Sequence, residues 1–152
     1  MRRINARIGT CCALIGVALL CLSAGALSGC GVAGSAGART PVQTAQVTER
    51  DFHIKAPSEL KAGEVRLSVY NEGPDQHELI VVRAGAKPLP FRRDGLTIDE
   101  DAVESSKAGG LEPGAAKSRR TLDLDLRPGR YVLFCNMYGH FLGGMHRQLV
   151  VR

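Results

Sequence analysis

Residues 135–146 read C-N-M-Y-G-H-F-L-G-G-M-H and contain one cysteine, two histidines and two methionines. The whole chain has 152 residues but only 4 histidines and 3 methionines, so this stretch is strongly enriched in both. Cysteine, histidine and methionine each offer a soft or borderline lone pair to a transition metal. The glycines among them allow the chain to turn sharply enough to direct Cys135, His140 and Met145 to one point. The stretch therefore predicts a metal-binding loop.

His77 is the candidate for a fourth ligand. It lies where the turn N-E-G-P-D-Q at 71–76 meets the apolar segment H-E-L-I-V-V-R at 77–83. That position is at the end of a predicted strand, where a loop from elsewhere in the fold can approach it. The sequence therefore predicts that the loop containing Cys135 folds over His77.

Much of the remaining chain has the pattern of β-strands. Residues 64–71 alternate, with Val65, Leu67 and Val69 on one face and polar groups on the other, which is the period of a half-buried strand. Further strands are predicted at 77–83, 121–126, 131–135 and 148–152, with weaker candidates at 42–48 and 51–56. Short strands separated by glycine and proline turns indicate an all-β fold, an antiparallel sandwich or barrel.

Residues 84–118 interrupt this pattern with prolines and glycine pairs, and we expect a long insertion there. A short helix is predicted from Thr97, with a capping box between Thr97 and Glu100. The sequence does not decide whether the insertion covers a site or only decorates the fold. The acidic residues of this segment lack the ligand spacing of an EF-hand and are expected to form a solvated helical turn. They are Asp99, Glu100, Asp101 and Glu104.

The N-terminal segment predicts export. Residues 1–29 have a basic start and a long apolar stretch, and the small residues L-S-G-C follow at 27–30. This ending resembles the lipobox of bacterial lipoproteins, which implies a diacylated Cys30 as the new N-terminus. An uncleaved transmembrane anchor or an ordinary cleaved signal is the alternative. Residues 30–41 are small and polar and predict a flexible tether, so the folded domain is expected at 42–152, outside the cytoplasm.

After cleavage of the signal segment, Cys135 is the one cysteine that neither leaves with it nor carries lipid. A lone thiol outside the cytoplasm cannot form an internal disulfide and is prone to oxidation, and a bound metal would protect it. Cleavage also removes three arginines and no acids, which lowers Lys+Arg from 20 to 17 against 15 Asp+Glu and the net charge from +5 to +2. This balance gives no electrostatic case for binding nucleic acid.

The spacing Cys-x4-His-x4-Met, with an upstream histidine after an Asn-x-Gly turn, resembles the cupredoxins, or type 1 blue copper proteins. The loop length is nearest to the rusticyanin and sulfocyanin type. The resemblance implies a Greek-key β-sandwich over 42–152 and one mononuclear copper that alternates between Cu(I) and Cu(II). It also implies that His77, Cys135 and His140 are equatorial ligands and that Met145 is the long axial ligand. The chain departs from plastocyanin and azurin at Glu78, where those proteins usually have an asparagine that ties the two ligand loops together.

The same residues allow other interpretations. Zinc is the rival metal, but the chain lacks the paired Cys-x2-Cys or His-x3-His spacings typical of zinc sites, and Met145 is a poor zinc ligand. His146 is the rival to Met145, although on an entering strand it is expected to point to the opposite side and to be exposed. Met137 is expected to face outward or to pack, and His53 to be structural.

A mononuclear site with all positions filled has no place for a substrate, so we expect a single-electron carrier rather than an enzyme. The resemblance implies redox partners such as a membrane oxidase or reductase, reached by a monomer on its tether. The electron is expected to leave at the His140 edge, within an apolar docking rim formed by Met137, Tyr138, Phe141 and Leu142. The alternative is a lipoprotein that buffers or delivers copper. A multicopper enzyme is disfavoured by the low histidine count, and a metal-free adhesion domain by the lone thiol.

Overall fold

The computed structural model describes residues 41–152, and these residues form two β-sheets that pack face to face. The predicted signal segment 1–29 and the tether up to residue 40 lie outside the described residues. The strands are β1 (Gln43–Arg50), β2 (His53–Lys55), β3 (Glu59–Leu60), β4 (Gly63–Gly73), β5 (His77–Arg83), β6 (Lys107–Gly114), β7 (Arg119–Leu126), β8 (Gly129–Phe134) and β9 (His146–Val151). One short helix, α1 (Glu100–Val103), continues into a 3₁₀ turn at Glu104–Ser106.

The first sheet has the strand order β2-β1-β4-β7, and the second has the order β3-β9-β8-β5-β6. The predicted β-sandwich is confirmed, but the expectation of purely antiparallel sheets is wrong. Strand β1 runs parallel to β4, and β3 runs parallel to β9. Alternation of apolar residues predicts which face of a strand is buried but carries no information about the direction of its neighbour. The two parallel pairs therefore could not be read from the sequence.

The core lies between the two sheets and is built from the alternating residues. In the first sheet, Val65 is paired with Leu124 and Leu67 with Leu122 across β4 and β7, and all four side chains are buried. The β8 residue Leu133, from the second sheet, belongs to the same cluster of buried residues. The predicted period-two strands are confirmed here because one face of each strand packs inward.

Segment 84–118 is not one insertion, because its last part is the edge strand β6, which pairs with β5. The sequence prediction missed β6 because glycines and a proline interrupt it, although a proline is tolerated on an edge strand. A Cβ on Gly109 would come within 2.6 Å of the Leu124 side chain of the other sheet. The missing side chain at Gly109 therefore lets β6 approach β7 closely. The insertion is confined to residues 84–106.

The predicted short helix is present, but the predicted capping box between Thr97 and Glu100 is wrong. The N-cap is Asp99, whose side chain accepts a hydrogen bond from the Ala102 N–H. The Thr97 hydroxyl instead donates to Asp94 at 3.0 Å, so it is not available to the helix. Either residue type serves as an N-cap, and the competing partner Asp94 decides between them. Within residues 41–152, no helix is both long enough and apolar enough to cross a membrane.

A buried ion pair links β1 and β7, which lie on either side of β4 in the first sheet. The Glu49 side chain on β1 is fully buried and accepts a hydrogen bond from the Arg120 guanidinium on β7. Burial raises the pKa of Glu49 to about 7, against the opposing attraction of Arg120. The folded protein therefore binds a proton at Glu49 more tightly than the unfolded chain does.

We predict that the free energy of unfolding contributed by Glu49 falls as pH rises from its ordinary pKa of 4.5 to about 7. Below this window Glu49 is protonated in both states, and within it only the unfolded chain releases the proton. Urea unfolding of the wild type and Glu49→Gln across this window measures the effect, with the exposed Glu64→Gln as control. The stability of Glu49→Gln relative to the wild type should increase with pH, and parallel curves would contradict the prediction.

Candidate metal centre

The loop that follows β8 turns back on itself immediately after Cys135. The Cys135 N–H donates to the Met145 carbonyl at 3.1 Å, and the Met145 N–H donates to the His140 carbonyl at 3.0 Å. The His140 N–H in turn donates to the Met137 carbonyl at 2.8 Å. These backbone bonds join the beginning, middle and end of the loop. They confirm that the segment folds as one compact unit.

Two different properties of glycine shape this loop. Gly139 and Gly144 have φ values of +78° and +104°, in the region that other residues rarely adopt. Gly143 is required for space instead, because a Cβ there would overlap the ring of Phe52. The prediction that glycines make the loop tight is therefore confirmed, and at Gly143 the reason is the packing of an aromatic residue from the β1–β2 turn.

The turn before His77 is organised by the buried side chain of Asn71. Its Oδ1 accepts from the Gly73 N–H at 2.6 Å, and its Nδ2 donates to the carbonyls of Asp75 at 2.8 Å and Gly114 at 3.0 Å. The contacts with Gly73 and Asp75 fix the backbone between β4 and β5, and the contact with Gly114 ties this turn to the end of β6. His77, the first residue of β5, is consequently held at the end of the sandwich, as the sequence predicted.

His77, Cys135 and His140 converge at this end. One donor atom from each of them lies within 4.8 Å of the others. The Cys135 Sγ is 3.5 Å from the His140 Nδ1, and the two imidazole ring centroids are 5.2 Å apart. His77 and Cys135 are fully buried, whereas His140 is partly exposed. Two side chains from the loop after β8 and one from the start of β5 therefore meet at one point.

The donor atoms of this cluster fit a soft or borderline metal ion. The His77 Nδ1 is buried and has no hydrogen-bond partner, although a buried polar atom is normally paired. The Nε2 of the same ring lies 3.1 Å from the Asp51 Oδ1, within hydrogen-bond distance. Two imidazoles and a thiol form the equatorial donor set of a type 1 copper site. His77, Cys135 and His140 are thus positioned to form such a site.

Met145 is fully buried and belongs to the same apolar cluster as Cys135. Its backbone is bonded to both Cys135 and His140, so its side chain starts beside the three-residue cluster. His146, the rival, is exposed and its ring stacks on Phe141 with centroids 4.8 Å apart. His53 is also exposed. The structure thus places Met145 inward and His146 outward, as expected from their adjacent positions.

Burial controls the protonation of the cluster. Desolvation raises the pKa of the Cys135 thiol to about 11, although the backbone N–H groups of Met137 and Glu78 act in the opposite direction. Desolvation and the nearby His140 lower the pKa of His77, against the attraction of Asp51. Both groups are therefore neutral at neutral pH without a metal. Binding of a cation would reverse this for the thiol, because a coordinating thiol is deprotonated.

Glu78 takes over the linking role expected of an asparagine at this position. Its Oε1 accepts from the Asn136 backbone N–H at 2.9 Å, which joins the residue after His77 to the residue after Cys135. Burial and the neighbouring Glu100 carboxylate raise the pKa of Glu78. The two ligand-bearing segments are therefore connected, but by a carboxyl group rather than an amide.

Asn136 also fastens the 84–106 insertion to the ligand loop. Its Oδ1 accepts from the Ile98 N–H at 2.6 Å and its Nδ2 donates to the Ile98 carbonyl at 3.0 Å and to Glu100 at 3.0 Å. Ile98 itself is fully buried in a second cluster of apolar residues that includes Phe134. The sequence did not decide whether the insertion covers a site or only decorates the fold. In the structure, the insertion packs beside the ligand loop and restrains it.

The predicted docking residues divide into two groups. Tyr138 and Leu142 are 72% and 54% exposed. Met137 packs against the main core and Phe141 against the second one. Phe52 is 54% exposed and its ring centroid lies 5.5 Å from that of His140, which the sequence analysis did not foresee.

Sequence reasoning missed Asp51, Phe52 and Asn136 as residues that contact the cluster. Asp51 and Phe52 form the β1–β2 turn, 26 and 88 positions away from His77 and His140. Nothing in their local pattern distinguishes them from an ordinary turn. Asn136 follows Cys135 directly and could have been singled out, since a buried amide in a ligand loop needs partners.

The fold is similar to that of two kinds of solved cupredoxin structure. Auracyanin from Roseiflexus castenholzii has a TM-score of 0.54 and 16% identity, covering 72% of this chain and 97% of that one. Auracyanin B has a TM-score of 0.55 and 22% identity, covering 74% and 91%. Rusticyanin from Thiobacillus ferrooxidans has a TM-score of 0.53 and 15% identity, covering 72% and 78%. No protein-family model and no curated protein sequence matches the chain. The cupredoxin-like β-sandwich predicted from the sequence is confirmed.

We predict that Asn136→Ala destabilises the protein by about 3 kcal/mol, because it leaves the buried Ile98 N–H and C=O without partners. Urea unfolding without metal measures the loss. Tyr138→Ala, an exposed residue of the same loop, is the control and should change stability by less than about 0.5 kcal/mol. An Asn136→Ala variant as stable as the control would show that the insertion does not restrain the loop.

Proposed function

We propose that this chain is a membrane-tethered type 1 copper protein that carries single electrons between redox partners outside the cytoplasm. In this proposal His77, Cys135 and His140 are equatorial ligands and Met145 is the axial ligand. The observation that carries it is the convergence of a thiol and two imidazoles, one with a buried and unpartnered Nδ1, on a cupredoxin-like fold. Among the similar structures, one auracyanin is dithionite-reduced and rusticyanin is described as a copper protein.

Copper, when bound, would supply a one-electron redox couple. The chain supplies a site that keeps the same shape in both oxidation states. Cys135 and His77 are fully buried, which keeps water from them, and Glu78 and Asn136 join the segments that bear them. Little in such a framework needs to move when an electron enters or leaves, which suits fast outer-sphere transfer.

The electron path in this proposal leaves through His140, the partly exposed member of the cluster. Around it are the exposed side chains Tyr138, Leu142 and Phe52, with Met137 and Phe141 behind them. An apolar rim of this kind supports brief docking, and transient redox interfaces are small, below about 1,200 Å². A membrane oxidase or reductase is the partner that we propose.

The tether supports the same function. A lipidated Cys30 followed by a flexible segment would hold the domain near the outer face of the membrane, in a periplasm if the host has two membranes. Linking a carrier to the membrane of its partners raises their effective concentration. We predict that the protein in the membrane fraction begins at Cys30 and carries the added mass of a diacylglyceryl group, as measured by mass spectrometry, and that Cys30→Ser lacks the lipid. A wild-type protein with an intact N-terminal segment and no added lipid would indicate an uncleaved anchor instead.

Copper buffering or delivery is the alternative function, and the burial of the ligands argues against it. Delivery requires ligands that exchange with a recipient, whereas His77, Cys135 and Met145 are fully buried.

We predict that the copper-loaded protein retains one copper through ten cycles of reduction and oxidation in the presence of a Cu(I) chelator. Loss of the copper to the chelator after the first reduction would favour delivery.

Met145 and His146 provide a direct test of the axial position. We predict that Met145→Leu changes both the reduction potential and the visible spectrum of the copper-loaded protein, because the axial ligand tunes this type of site. His146→Leu, a matched change at the adjacent exposed residue, should leave both unchanged. The reverse pattern would assign the axial role to His146.

A further inference from the structure

The two-residue turn between β1 and β2 contacts both histidines of the centre. The Asp51 Oδ1 lies 3.1 Å from the His77 Nε2, and the ring of Phe52 meets the His140 ring edge-on with centroids 5.5 Å apart. The turn is short because Arg50 pairs with His53. One turn, remote in sequence from the ligand loop, therefore contacts both His77 and His140.

The Asp51 contact selects the tautomer of His77. A neutral imidazole carries one proton on either of its nitrogens. The Nε2 faces a carboxylate, which can only accept a hydrogen bond when ionised, whereas the buried Nδ1 has no partner. A proton on Nε2 satisfies both ends of the ring and leaves the Nδ1 lone pair free. That lone pair is then available to a metal ion held together with Cys135 and His140.

The position of Asp51 is itself determined by the site. Its Oδ1 also accepts from the Asp75 N–H at 3.3 Å, which links it to the turn before His77. The next residue, Phe52, has a φ of +58°, a conformation that is uncommon for a residue with a side chain. The Phe52 ring occupies the space that the missing side chain of Gly143 leaves open. The turn is therefore held by contacts with both segments that bear the ligands.

We propose that Asp51 is a positioning residue of the metal centre. It holds His77 with Nδ1 available to the metal and, through the charge of its carboxylate, makes that nitrogen a stronger donor. A stronger donor favours Cu(II) over Cu(I), so Asp51 lowers the reduction potential. Carboxylate partners of ligating histidines act in this way in metal sites generally. This inference rests on the proposed copper function for its effect on potential, but not for the tautomer.

The first test uses the whole chain without copper, so that it does not depend on the proposed function. ¹⁵N NMR of the imidazole groups identifies which nitrogen of His77 bears the proton. We expect the Nε2–H form in the wild type and in Asp51→Asn, whose side chain still offers an acceptor. Asp51→Ala should lose this preference, and an unchanged Nε2–H form in Asp51→Ala would overturn the positioning role.

The second test uses the copper-loaded protein and separates charge from structure. Asp51→Asn should shift the Cu(I)/Cu(II) equilibrium toward Cu(I) by about tenfold, which is about 59 mV for a one-electron couple. Asp75→Asn is the matched control, because the Asp75 carboxylate also acts on His77 through its charge but makes no hydrogen bond to it, and it should cause a smaller shift than Asp51→Asn. An equal shift in both variants, or none in Asp51→Asn, would overturn the claim. If the wild type forms no blue copper site, the proposed function fails while the NMR result still decides the tautomer.

Discussion

The rest of this structure depends on burying a thiol and an imidazole at the end of a β-sandwich with one imidazole nitrogen left without a hydrogen-bond partner. Cys135 and His77 are fully buried, and the His77 Nδ1 has no hydrogen bond. An unsatisfied buried donor or acceptor costs about 1–3 kcal/mol, so the surrounding fold must stabilise this arrangement. A metal ion that binds both atoms removes the penalty, and we propose that copper does so.

Three features of the fold hold the cluster of His77, Cys135 and His140 in place. The second sheet places β5 and β8 side by side and antiparallel, which brings His77 and Cys135 to the same end. Asn136 and Glu78 join the ligand-bearing segments and attach the 84–106 insertion. The Asp51–Phe52 turn closes the site from the first sheet. Each restraint limits the motion of a ligand, and limited motion is the property that separates an electron carrier from a protein that releases copper.

The ligand loop and most strands could be predicted because their signals are local. Cys135, His140 and Met145 lie within eleven positions, and alternating residues such as Val65 and Leu67 identify a half-buried strand without knowledge of its neighbours. Strand β6 was missed because its glycines interrupt the strand pattern, and one of them, Gly109, allows close packing against Leu124 of the other sheet. The roles of Asp51 and Phe52 depend on contacts across 26 and 88 residues of sequence. Such contacts follow from the assembled fold and leave no local pattern.

The most direct test of the central claim is to record the visible and electron paramagnetic resonance spectra of the soluble 31–152 fragment with one equivalent of Cu(II). Cys135→Ser is the matched control, since it replaces the thiol by a hydroxyl of similar shape. We expect an intense thiolate-to-copper band and a narrow copper hyperfine splitting in the wild type, both absent from the variant. A weak, ordinary Cu(II) spectrum in the wild type, unchanged by Cys135→Ser, would contradict this expectation.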